Sequence, residues 1–360
     1  MESIKPFVYQ SSPGRVIFGP GSIKELAAEL QRQNLTRPLL LSTPQQEGQI
    51  QALSQRLDGH IAGLFSGATM HTPTDVTAKA LAYTTETKAD SLVTLGGGST
   101  IGLGKALAIR TGLPHICIPT TYAGSEMTPI LGETADGLKT TRSDPKILPG
   151  TVIYDVDLTM TLPVGMSMTS GVNAIAHSIE ALYSASGNPI ITQLALESIR
   201  SLARSLPEVA AHPDSTAART AVQYGAWLAG ICLGSVGMGM HHKLCHTLGG
   251  TFGMPHAETH TVVLPHALAY NAPAIPAVMQ QLAAVLPDSD GDALRGLNRL
   301  LDRLGVQRSL SAFGFAEGDI ERAAEIACAN VYPNPRPVEK EPVREVIRRV
   351  WAGEPARADL

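Results

Sequence analysis

The chain has 360 residues, of which 44% are hydrophobic and 17% charged, and its formal net charge is -4. That length suffices for two domains with separate cores, and the composition excludes a disordered chain. The small negative charge, with basic residues scattered along the chain, leaves no reason to expect a nucleic acid or a membrane as partner.

Arg15 to Phe18 reads as a strand closed by Gly19-Pro20-Gly21, with Ser22 at the N-cap of a following helix. Pro38 to Leu41 is a second strand and Ile61 to Phe65 a third. Thr74 is expected to cap the helix DVTAKALAYTTETK. Ser91 to Leu95 runs straight into glycines, His115 to Ile118 ends at Pro119, and Val152 to Tyr154 is the last strand. Strands alternating with helices imply an α/β domain with a mainly parallel sheet covered on both faces. Beyond Leu162-Pro163 the texture changes to long Ala- and Leu-rich helical stretches. The expected organisation is therefore an α/β domain over 1–162 and an all-helical domain over 163–360, with the active site in the cleft between them.

The four cysteines, Cys117, Cys232, Cys245 and Cys328, are widely spaced and form no C-x-x-C pair. They read as reduced thiols. MESIKPFVYQSS has no apolar signal-peptide core, and no run approaches the roughly 18 apolar residues of a membrane span. A cytoplasmic address is the expectation.

After the fourth strand come Gly96-Gly97-Gly98-Ser99-Thr100 and then a helical IGLGKALAIR. Strand, glycine turn and helix start together make an anion site. Residues without Cβ admit phosphate oxygens, and the first helical N–H groups point at them. The turn follows neither the G-x-G-x-x-G nor the Walker pattern. A second cluster, Pro119-Thr120-Thr121-Tyr122-Ala123-Gly124-Ser125-Glu126-Met127-Thr128, opens at the end of the next strand, where open α/β sheets bind ligands. Two such loops on successive strands favour a long phosphate-bearing ligand such as a dinucleotide.

Asn173 and His177 are four residues apart on a predicted helix, as are His242 and His246 on a later one, and His256 follows Pro255. Each pair shares a helix face, and such faces assemble metal or acid/base sites in helical domains. Three imidazoles are able to bind zinc. Asn173 adds only a neutral carbonyl oxygen where a carboxylate would strengthen any metal site.

Together these residues resemble the iron-containing alcohol dehydrogenase superfamily, whose dehydroquinate synthase-like fold joins a dinucleotide-binding α/β domain to a helical one. The superfamily's metal set is Asp-x-x-x-His and two later histidines; the matching positions here are Asn173, His177, His242 and His256. Its glycine motif continues GGGS-x-x-D, and Gly102 stands at the Asp position. GGGSTIGLGKALA, PTTYAGSEMTPI, SGVNAIAHSIEALYS, HHKLCHTLGGTFGMPHAETHTVVLPH and NPRP are similar to the maleylacetate reductase branch.

That resemblance implies reduction of maleylacetate to 3-oxoadipate in aromatic-compound degradation, NADH or NADPH as cofactor, no required metal, and a homodimer. It implies a pyrophosphate at Gly96, Gly97, Gly98 and Ser99, beside Thr100. It also implies cofactor contacts from Thr120, Thr121, Ser125, Thr128 and Lys139. Ser42 and Thr43 stand where an acidic residue often selects NAD, so both cofactors are expected. Hydride addition to the conjugated C=C would leave an enolate for His246 and His256, supported by His242, His177 and Asn173. Tyr122, Lys243 and Arg336 are the substrate-binding candidates, with Arg142 a further cation for the dicarboxylate. The alternative is an iron- or zinc-dependent alcohol or polyol dehydrogenase on the same fold. A dehydroquinate synthase-type lyase and a non-catalytic dinucleotide sensor are more distant ones.

Overall fold

In the computed structural model the described residues are Phe7, Tyr9, 14–135 and 138–360; the side chains of Leu138 and Lys139 lie outside that description. The strands are β1 (Arg15–Phe18), β2 (Pro38–Leu41), β3 (Gly63–Phe65), β4 (Ser91–Gly96), β5 (His115–Pro119), β6 (Ile130–Ala135), β7 (Leu138–Ser143) and β8 (Thr151–Tyr154). Between them run helices α1 (Leu26–Arg32), α2 (Glu47–Arg56), α3 (Thr74–Glu86) and α4 (Gly98–Thr111). Among the described residues, 14–162 form one compact unit, and 163–360 together with Phe7 and Tyr9 form the other.

Six strands of the first unit form a parallel sheet in the order β3-β2-β4-β5-β8-β1. Strands β2, β4, β5 and β8 are buried along their whole length, which is why their sequences are mostly apolar, with Ser91, Thr94, His115 and Thr151 as buried polar exceptions. Alternate residues serve opposite faces. Leu40, Val93 and Ile116 pack with Leu26, Leu30, Ile50 and Leu53 of α1 and α2. Leu39, Leu41 and Leu92 pack with Ala80, Leu103 and Leu107 of α3 and α4. Burying each such leucine contributes about 1.5–3 kcal/mol.

The connection after β2 leads to β3 and that after β4 leads to β5, toward opposite edges of the sheet. Open α/β sheets bind ligands at such a switch point, beyond the carboxyl ends of the strands.

Two local expectations are corrected. Ser22 is the first residue of a short 3-10 turn and its hydroxyl donates to the Tyr154 carbonyl. The turn's N–H groups are held instead by the Asp155 carboxylate, which accepts from Gly21 and Ile23. Thr74 is the first helical residue of α3; Pro73 occupies the N-cap and no side chain caps it. The segment that carries Lys139 supplies β7, which pairs antiparallel with β6 in a separate two-stranded sheet.

The second unit contains α5 (Val164–Tyr183), α6 (Pro189–Ala211), α7 (Thr216–Ser235), α8 (Met240–Phe252), α9 (His256–Asn271), α10 (Pro276–Val285), α11 (Ala293–Arg303), α12 (Ile320–Cys328) and α13 (Lys340–Ala352). Asn188 caps α6 by accepting from the N–H groups of Ile190 and Ile191, with Pro189 at the first helical position. Gly253, at φ 68, ends α8 in the left-handed conformation, and two residues later α9 begins after Pro255. Helix α9 packs against both α8 and α5, so three histidine-bearing helices meet. All four cysteines are free. Among the described residues no single helix is long and apolar enough to cross a membrane; α7 and α8 pass that test only as a pair, bent by 94°.

Candidate active site

In the α/β unit, three loops leave the carboxyl ends of the adjacent strands β2, β4 and β5. After β4, Gly97 is the N-cap of α4 and Gly98 its first residue. A Cβ on Gly96 would come within 2.3 Å of Thr100 Oγ1 and 2.7 Å of Gln46 Oε1, and one on Gly97 within 2.8 Å of Thr121 Cγ2. Gly98 opens onto free space. Gly96, Gly97 and Gly98 thus bring the turn close to its neighbours while baring the helix start, the arrangement that receives a phosphate. The loop after β2 joins the same cradle. Thr43 Oγ1 donates to Gln46 Oε1 at 3.3 Å, and Gln46 Nε2 donates to Thr120 Oγ1 at 3.0 Å. The hydroxyls of Ser42 and Thr100 are buried without a hydrogen-bond partner, so the cradle holds polar atoms that a bound ligand would satisfy. Ser99 is half-buried beside them. A dinucleotide's phosphates fit this donor set.

The loop after β5 is pinned from beneath. Lys105 of α4 is fully buried, and its ammonium donates to the carbonyls of Ser125 (2.5 Å) and Ile130 (2.9 Å) and to Thr128 Oγ1 (2.9 Å). Burial lowers its pKa to about 8. Thr128 Oγ1 also donates to the Ser125 carbonyl at 3.1 Å. The Thr128 hydroxyl therefore belongs to the scaffold that holds this loop. Glu126 beside it is buried and accepts from Tyr154 Oη at 2.8 Å, and desolvation raises its pKa.

In the helical unit, six imidazoles gather. His177 Nδ1 and His242 Nε2 hydrogen-bond to each other at 2.8 Å. The His242 ring lies 6.0 Å from that of His246 and 4.9 Å from that of His260, and the His260 ring lies 4.4 Å from that of His256. His241 Nε2 and His260 Nδ1 hydrogen-bond at 3.0 Å. The structure thus joins His177, His242, His246 and His256 and adds His241 and His260, which sequence reasoning missed. The spacing of His256 and His260, four apart at the start of α9, was the available signal.

His246 and His256 are the exposed members, whereas His177, His241, His242 and His260 are buried. Burial, reinforced by the neighbouring imidazoles, holds His241 and His260 well below the ordinary histidine range. They are neutral. Together with Cys245 they place three potential metal-binding atoms within 4.8 Å. The two imidazoles already bond to each other, however, and burial raises the Cys245 thiol well above its usual pKa, which works against a metal-binding thiolate.

Asn173 is buried in α5, and its Oδ1 has no hydrogen-bond partner. Glu180, one turn beyond His177 and also missed by sequence reasoning, accepts from His242 Nδ1 and from the backbone N–H of His241. An open pocket of about 800 Å³ runs along Glu180, Tyr183, Gly239, Ile275 and Asn334. None of the six histidines lines it.

Residues 13–156 match the description "Iron-containing alcohol dehydrogenase", and residues 167–351 match "Fe-containing alcohol dehydrogenase family, C-terminal". The chain belongs to the iron-containing alcohol dehydrogenase family. Within it, the chain is 51% identical over 350 residues to a maleylacetate reductase of Rhizobium sp., covering 97% of this chain and 99% of the relative. It is also 51% identical to a maleylacetate reductase of Sphingobium indicum, covering 97% and 98%. The crystal structure of maleylacetate reductase from Agrobacterium tumefaciens superposes with a TM-score of 0.94 at 50% identity, covering 98% of this chain and all of that one.

The departures from the family's motif have structural counterparts. A Cβ on Gly102 would lie 2.4 Å from Thr72 Oγ1, so Thr72 fills the space into which an aspartate there would point. Thr72 holds φ 47, a strained value for a β-branched residue.

Arg336 stacks on the Tyr270 ring at 4.4 Å and donates one N–H to the Tyr270 carbonyl at 3.1 Å, which anchors its guanidinium to α9. Arg142 pairs with Glu133 at 3.2 Å in the small sheet. Tyr122 is fully buried in the α/β unit. Lys243 is half-buried on α8. Lys139 pairs through its backbone with Thr134, and its side chain lies outside the described residues.

Proposed function

We propose that this chain reduces maleylacetate to 3-oxoadipate with NADH or NADPH, in aromatic-compound degradation, and that it does so without a metal. That the chain is an oxidoreductase follows from its family and relatives; the substrate and the metal-free chemistry are the proposal. The observation that carries it is the direct hydrogen bond between His177 and His242. Both nitrogens of His242 are engaged, one by His177 and one by Glu180. Asn173 offers only a neutral oxygen. Two of the family's four metal positions, His177 and His242, are thus bonded to each other and a third, Asn173, is a neutral amide, a donor set that fits a divalent cation poorly.

The nicotinamide supplies a hydride when bound, and the cradle of Gly96, Gly97, Gly98, Ser99, Thr100, Thr120 and Gln46 holds its phosphates. Hydride addition to the alkene carbon remote from the ketone places negative charge on the ketone oxygen as an enolate. An enolate is less basic than the alkoxide of direct ketone reduction, so imidazole hydrogen bonds suffice to stabilise it. His246 and His256, the exposed imidazoles, hold that oxygen or deliver the proton. His177 and His242 form the buried layer behind them. A homodimer belongs to the same reading and is checked by light scattering.

The test is NADH oxidation with maleylacetate, with and without chelator, alongside elemental analysis of gently purified protein. Turnover unaffected by chelator is expected. Stoichiometric iron or zinc, with activity lost to chelator, would make the chain a metal-dependent dehydrogenase instead.

A further inference from the structure

We infer that Glu180 is a positioning residue that sets the tautomers of His242 and, through it, of His177; this rests on the reading of the histidines as the acid and charge-stabilising set. The argument starts from what each oxygen of Glu180 does. Oε1 accepts the backbone N–H of His241 at 2.8 Å and lies 3.5 Å from the Tyr183 hydroxyl, which also donates to it. Oε2 accepts from Nδ1 of His242. The side chain is fully buried, and as a carboxylate both its oxygens act only as acceptors.

The consequence passes along the chain of rings. With Nδ1 of His242 donating to Glu180, the neutral form of the ring presents Nε2 as its lone-pair nitrogen. The 2.8 Å contact with His177 Nδ1 then requires His177 to donate from Nδ1, which leaves Nε2 as its lone-pair nitrogen. A neutral imidazole presents one donor and one acceptor, so fixing the first nitrogen fixes the other three. Glu180 thereby decides, from two rings away, whether His177 offers a proton acceptor or a donor at Nε2.

Glutamine is the discriminating substitution, since it keeps the shape but has one acceptor and one donor. The His241 N–H belongs to the backbone and must keep the oxygen. The new amide N–H₂ then faces His242 Nδ1 and forces that nitrogen to accept. His242 Nε2 must carry the proton and donate to His177 Nδ1, and both tautomers invert. Aspartate, shorter but still a double acceptor, preserves the original order.

The experiment combines ¹⁵N NMR of histidine-labelled protein, assigned with His177→Gln and His242→Gln, and steady-state kinetics of Glu180→Gln and Glu180→Asp. In the parent protein both His242 and His177 are expected as Nδ1–H tautomers, and in Glu180→Gln both as Nε2–H. With maleylacetate and NADH, Glu180→Gln is expected to lose about 10- to 100-fold in kcat at a nearly unchanged KM for NADH, and Glu180→Asp to recover part of the loss. A parent His242 in the Nε2–H form, or a Glu180→Gln enzyme with kcat within about twofold of the parent, overturns the assignment. If Glu180→Gln does not fold, the parent tautomers alone decide it. Absence of maleylacetate turnover in the parent would count against the proposed substrate and leave the tautomer result standing.

Discussion

Gln46 Nε2 donates to Thr120 Oγ1 at 3.0 Å and so ties the loop after β2 to the loop after β5, across the end of the strand that carries the glycine turn. Neither loop closes the cradle alone. Removing one net hydrogen bond of this kind costs about 0.5–1.5 kcal/mol. Gln46→Ala is accordingly expected to raise KM for NADH by about 2- to 10-fold with a smaller change in kcat, measured by steady-state kinetics. An unchanged KM would show that the link does not shape the cofactor site.

The half-buried Thr43 stands beside this link. With no acid there, nothing repels a 2′-phosphate, and both NADH and NADPH are expected to support turnover. Thr43→Asp is expected to weaken NADPH relative to NADH by about tenfold, equivalent to about 1.4 kcal/mol. Competitive titration of the two cofactors measures it, and equal effects on both would remove Thr43 from the ribose pocket.

Lys105 holds the hydroxyl-rich loop from beneath through two carbonyls and the Thr128 hydroxyl. Lys105→Met keeps the stem but leaves buried acceptors unpaired, a loss of about 1–3 kcal/mol. A lower thermal midpoint together with a raised KM for NADH is expected; calorimetry and kinetics read the two separately.

His246 and His256 are the exposed imidazoles of the cluster, so their loss is expected to touch chemistry more than folding. His246→Ala and His256→Ala should each keep a parent-like melting temperature and lose about 10²- to 10⁴-fold in rate. The buried His241 and His260 should show the reverse, with lost stability as the main effect. Near-normal turnover in both of the first two variants would end their assignment.

Stability is expected to fall on the acid side. His115 is buried against Thr94 and Cys117, at 2.9 and 3.2 Å, and burial lowers its pKa from 6.5 to about 3. His266 is lowered to about 4, also by burial. A group that is harder to protonate when folded stabilises fully above its unfolded pKa and loses that contribution as pH drops. The loss therefore begins below about pH 6.5 and continues toward pH 3, with a slope of up to about 1.4 kcal/mol per pH unit for each group. Denaturant midpoints at pH 7, 6 and 5 measure it, and His115→Gln should flatten the slope.

Much of this protein was written locally. The parallel sheet was legible because strands buried on both faces are mostly apolar, as in Ser91 to Gly96, where Leu92, Val93 and Leu95 dominate. The glycine turn was legible because it follows such a strand and opens a helix. The pairs Asn173/His177 and His242/His246 share helix faces because four residues make about one turn. Each of these follows from neighbours along the chain. Tertiary packing decided the rest. It set Glu180 against His242, Gln46 against Thr120, Lys105 under Ser125 and Thr128, and Thr72 in the space beside Gly102. It also drew Arg336, a natural anion-binding candidate by charge, onto Tyr270. Such partnerships join segments tens of residues apart, and a hydrogen bond or a steric fit acts only over a few ångströms of real space. The residue types offered the chemistry, and the packing of helices and strands determined which atoms came close enough to use it.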